Sequence, residues 1–149
     1  MEALLSLFDQ LTEHLRQLTE LAKRKTLVVR KNDLLELDKI LKEEQAQALS
    51  LRGLDNKRIA LLRELNLQDI PLTELPSRAP AELRQKARDS VEALRREYSI
   101  YHSAAEIARN TLECNLHEVE KFLAAAGAAN NSVPGEVSPP PQMKSDFRA

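Results

Sequence analysis

At 149 residues the chain is long enough for one domain with a core and too short for two. Its 22 Lys and Arg nearly cancel its 23 Asp and Glu, which removes the cationic excess that nucleic acid requires, and three glycines with no Trp leave a Leu-, Ala-, Glu- and Arg-rich sequence suited to helices. No apolar run approaches the roughly 18 residues needed to cross a bilayer, and the single Cys114 has no internal disulfide partner, so the expectation is a cytoplasmic chain without stable membrane insertion.

The first predicted helix covers residues 2–28, where Leu4, Phe8, Leu11, Leu15, Leu18 and Ala22 step by four and three and share one face. Lys23, Arg24, Lys25, Arg30 and Lys31 follow with no acid among them, a run that could dock an acidic partner or a membrane surface, though the plainer reading is solvated cations at a helix C-terminus. Asp33 and Glu36 have capping-box spacing and open a second helix over 33–66. Its stripe is Leu34, Leu37, Leu41, Ala48, Leu51, Leu54, Leu61 and Leu65, with Glu44, Gln47 and Arg58 at or beside the seam, so its middle is polar. Gly53 should weaken it locally by about 1 kcal/mol relative to Ala.

Residues 67–80 form a linker with Pro71 and Pro76, and Pro80 is placed for the first position of the next helix. From 81 to 126 the residues Ala87, Val91, Leu94, Tyr98, Tyr101, Ala105, Ala108, Leu112, Asn115, Val119 and Phe122 keep the alternating four and three spacing of a coiled-coil seam. Gly127 should supply a left-handed stop, and Asn131, Pro134 and Pro139 to Pro141 predict a disordered tail over 127–149 after a helical domain at 1–126. The expected fold is all-α, an elongated antiparallel bundle of three long helices with coiled-coil-like packing and a disordered C-terminal tail.

Chemistry-bearing constellations are sparse. Cys114 and His117 lie three apart on one helical face beside Glu113 and Glu118, but no second pair completes the three or four ligands of a zinc site, and no orienting group or oxyanion hole serves a Cys–His nucleophile. His14 and His102 read as isolated surface residues, and no closely spaced glycines form a phosphate loop, so neither a cofactor, a metal nor an enzymatic activity is expected. Tyr98 and Tyr101 sit on the apolar stripe and read as core residues with hydroxyls at its edge, with partner contact as the alternative, while Asn115 is either a register-fixing seam residue or an unpaired one.

The candidate partner surface follows from helix lengths. At 1.5 Å per residue the second helix is about 50 Å long and the third about 70 Å, so about 12 residues of the third overhang the turn near Asn32. That overhang, about residues 115–126, carries Leu116, Val119, Phe122 and Leu123, and these with Leu112 just before it are the expected partner-binding residues. A client helix would cover them, or a homodimer would, and the second case corresponds to a self-associating structural or adaptor coiled coil.

Leu51, Leu54, Asp55, Arg58, Leu61, Leu62 and Leu65, then Leu94, Arg95, Asn110, Leu112, Val119 and Leu123, and a short terminal segment from Lys144 to Ala149 form a pattern across most of the chain. In these residues it resembles the FlgN family of flagellar export chaperones. The resemblance implies a cytoplasmic type III export chaperone whose partners are the C-terminal amphipathic segments of hook-associated, hook-filament junction proteins, kept soluble before secretion, and the flagellar export apparatus. Two departures stand out: Ser99 to His102 occupy the region of the family's paired asparagines, and the tail carries Phe147 where the family's export-gate contact has a Tyr.

Overall fold

The computed structural model describes residues 1–130, and no strand occurs among them. Glu2–Arg30 forms α1, Leu34–Glu64 α2, Leu75–Arg78 the one-turn α3 and Arg84–Asn130 α4, with a 3-10 turn at Ala81–Leu83 before α4. The described residues form an all-α structure built on long helices, as expected. By internal contacts it divides into two units, Met1–Asn115 and Leu116–Ala149, the boundary falling within α4. The expected disordered tail lies, from residue 131 onward, outside the described residues.

Within the first unit α1 is the central helix. It buries 13 residues against three for α2, because it carries two buried stripes rather than one. The first is the leucine stripe expected from its spacing. The second includes Leu5, Thr12, Thr19 and Thr26, seven apart, and each threonine hydroxyl donates to the carbonyl four residues back, of Phe8, Leu15 and Ala22, at 2.7, 2.8 and 3.1 Å. A Thr can therefore be buried without leaving a polar atom unpaired.

α2 runs antiparallel to α1. Residues later in α1 pair with residues earlier in α2: His14 Nδ1 lies 2.8 Å from Gln47 Oε1, Lys25 Nζ 2.8 Å from Glu44 and Arg24 3.0 Å from Glu36. α4 runs in the same direction as α1, since Ser90 donates to Asp9 at 3.0 Å, Arg16 lies 3.3 Å from Glu97, and Asn115 Nδ2 donates to Asn32 Oδ1 at 2.9 Å. The main core lies where α1 begins: Leu4, Leu5 and Phe8 meet Leu54 and Leu62 of α2, Leu75 of α3 and Ala87 and Val91 of α4.

Both long helices before the linker end in the same way. Asn32 and Asn66 adopt φ of 55° and 56°, and the amides of the residues after them donate back to Val28 and Leu62 at 3.2 and 2.8 Å, so that carbonyls of the last turn find partners. Asn tolerates this left-handed conformation better than other residues with a side chain. Asp33 then accepts from the Glu36 amide at 3.1 Å and starts α2, the cap its spacing anticipates.

Several expectations need correction. α1 and α4 run past residues 28 and 126, α2 stops at Glu64 rather than 66, and α4 starts at Arg84, Pro80 standing before the 3-10 turn with ψ of 149°. The 67–80 linker contains α3. Gly127 does not stop its helix: no described Gly has positive φ, and the alanines on either side are the strongest helix formers available, outweighing a Gly penalty of about 1 kcal/mol. Gly53, by contrast, leaves α2 unbroken, in keeping with the merely local weakening expected of it. The leucine stripe of α2 is misregistered at its start, since Leu34 is 76% and Leu41 40% exposed while Ile40 is fully buried.

Candidate functional site

The expected partner-binding residues sit late in α4. Leu112 is half-buried, whereas Leu116, Val119, Phe122 and Leu123 are 54, 46, 74 and 62% exposed. Leu116, Val119 and Leu123 repeat at three and four residues and so share one helical face, with Phe122 beside it. All residues from 116 to 128 are exposed. Covering each of these apolar side chains would be worth about 1.5–3 kcal/mol. Phe147 lies outside the described residues.

Asn115 is paired, which decides between its two readings. Its amide donates to Asn32 and reaches the Val29 carbonyl at 3.5 Å, fixing α4 against the end of α1. His14 is not an isolated surface residue: it is half-buried against Gln47, whose amide donates in turn to Gln17 at 3.1 Å. The basic run is not simply solvated either. Arg24 bridges Glu36 and Glu43, and those acids raise its pKa, Glu36 most through its hydrogen bond. Cys114 and His117 are exposed, and among the described residues no three His, Cys, Asp or Glu side chains converge as a metal site would require.

A second surface was not anticipated from spacing alone. Over Leu11 and Leu15 of α1 an open trough of about 740 Å³ runs between α2 and α4. Leu51 and Leu94 extend its apolar floor, Arg52, Asp55 and Arg58 line it from α2, and Arg95, Tyr98 and Tyr101 line it from α4. Arg58 is held by Asp55 at 2.7 Å. Tyr98 is 60% exposed, so its expected core role is wrong; it stands in the trough wall. Tyr101 is half-buried, and its pKa is raised first by that burial and then by Glu44 and Tyr98.

The trough gathers Leu51, Asp55, Arg58, Leu94 and Arg95, all residues of the pattern that carries the family resemblance. That pattern was the only signal for it, because the floor comes from α1, more than 30 residues away in sequence from α2's contribution. Nothing in the arrangement offers an activated nucleophile or a proton-transfer pair; it offers apolar surface edged with guanidinium groups.

The family model described as FlgN protein matches residues 1–135. No curated protein and no solved structure matches the chain.

Proposed function

The chain belongs to the FlgN family of flagellar export chaperones, and from that premise we propose that it holds the C-terminal amphipathic segments of hook-filament junction proteins through Leu112, Leu116, Val119, Phe122 and Leu123. The family is a chaperone family and not an enzymatic one, and no described helix is long and apolar enough to cross a membrane. The observation that carries the client site is the exposure of four large apolar side chains late in α4. An amphipathic client helix would bury its own apolar face on them, which keeps both surfaces from aggregating in the cytoplasm before export. Phe147 is the proposed contact with the export apparatus in place of the family's Tyr.

The test is a titration of a junction-protein C-terminal peptide against the full chain and against Leu116→Glu combined with Phe122→Glu. Two desolvated carboxylates on an apolar contact should weaken binding by a hundredfold or more, since each fully buried side chain is worth about 1.5–3 kcal/mol. Unchanged affinity with unchanged helicity would rule this site out. Loss of a dimer by the same variant, with client affinity intact, would favour the self-associating adaptor.

A further inference from the structure

We propose that the trough over Leu11 and Leu15 is a separate docking groove, built wholly from residues of Met1–Asn115, for one amphipathic helix whose apolar face is edged with carboxylates. It does not use the late α4 residues assigned above to the client.

The form of the occupant follows from the walls. α2 and α4 are continuous helices whose backbone groups are already paired within them, so no free edge is offered to an extended strand. Recognition must come from side chains, and a helix laid between two helices presents its own side chains at the spacing of the floor. The α2 liners run from Ala48 to Arg58, about 15 Å of helix, which matches about three turns of an incoming helix.

The charge of the occupant follows from the rim. Three guanidinium groups, of Arg52, Arg58 and Arg95, face one carboxylate, Asp55, which is engaged by Arg58. Arg52 and Arg95 are exposed, one on each wall, and among the described residues neither makes an ion pair. A leucine floor between two unpaired cations is complementary to a helix with acids on both sides of its apolar stripe and repels one with lysines there. Arg and Tyr are also the side chains that most often dominate protein interfaces, and Tyr98 and Tyr101 stand in the same wall as Arg95.

The experiment uses the full chain and two helix-stabilised, fluorescently labelled peptides of about three turns. Both carry leucines at i, i+3, i+4 and i+7; one has glutamates flanking that stripe and the other lysines. In anisotropy titrations at low salt the acidic peptide should bind at least about tenfold tighter than the basic one. Arg52→Glu with Arg95→Glu should reverse that preference, Arg52→Gln with Arg95→Gln should abolish it, and Leu116→Glu with Phe122→Glu should leave it unchanged. Melting followed by circular dichroism confirms that each variant is folded. Equal affinity for the two peptides, no saturable binding of the acidic one, or insensitivity to the arginine substitutions would overturn the proposal. So would abolition of binding by the α4 variant, which would move the peptide to the client site, or a dimer dissolved by the arginine substitutions, which would put a second copy of the chain in the groove.

Discussion

Ile40 is fully buried and packs with Leu18 and Leu21 of α1, while Leu41, next to it, is 40% exposed. Ile40→Ala removes a close-packed side chain and should lower unfolding free energy by about 2–5 kcal/mol, against about 0.5 kcal/mol or less for Leu41→Ala. Urea denaturation of the two variants reads the register of α2 directly, and a reversed order would mean that the leucine stripe faces the core after all. Tyr101 permits a second measurement. Burial disfavours its phenolate, so its pKa lies above the ordinary 10.0, with Glu44 adding to the effect. The folded chain then retains a proton that the unfolded chain releases. The stabilising contribution is complete below pH 10.0 and is lost as pH rises through the folded value, so stability should begin to fall on the alkaline side of that point. In Tyr98→Phe, where Tyr101 is the sole tyrosine and the smallest of its three perturbing causes is gone, absorbance titration should still place the phenol above 10.0. A midpoint at or below it would show that Tyr101 is solvated.

Gly53 has open space around the position of a Cβ and sits in unbroken helix, so Gly53→Ala should raise stability by about 0.5–1 kcal/mol. Asp33→Ala, which removes the α2 cap, should lower it by about 1 kcal/mol. Thermal melts would check both, and a destabilising Gly53→Ala would reveal a bend that α2 needs. These two devices also mark what local sequence can specify. The Asp33 cap, the long proline-free helices and the Leu4 to Ala22 stripe all depend on neighbours within a turn or two, and their spacing announced them. The register of α2 depends on what α1 presents, because Gln47 and Glu44 face His14 and Lys25 where a seam would ordinarily carry leucines. A stripe traced through leucines alone drifts onto Leu34 and Leu41. The buried Thr12, Thr19 and Thr26 escaped for a related reason: a hydroxyl bonded to its own helix behaves as an apolar group, which composition does not reveal. The trough was invisible as a cavity, since its floor and its two walls come from different helices, although Asp55, Arg58 and Arg95 were already conspicuous in the pattern.

Across the whole molecule, burial and binding surface are unevenly divided. The buried apolar residues run from Leu4 to Ala108, and residues 116–128 bury nothing. Stability should therefore reside in the first unit and client capture, on the proposed reading, in the late part of α4. A chain ending at Asn115 keeps every side chain that is buried among the described residues and the Asn115 to Asn32 bond that fixes α4 on α1. It loses Leu116, Val119, Phe122 and Leu123, each worth about 1.5–3 kcal/mol once covered by a partner. Its thermal midpoint should fall by less than about 4 °C, which corresponds to less than about 1 kcal/mol for a domain of this size. Binding of the junction-protein peptide should vanish at micromolar concentration, while the acidic peptide should still occupy the groove over Leu11 and Leu15. The three readouts separate the assignments from one another. A large fall in midpoint would make the end of α4 part of the folding unit, retained client binding would transfer the client to the first unit, and loss of the acidic peptide alone would show that the groove needs residues beyond Asn115 to take its helix.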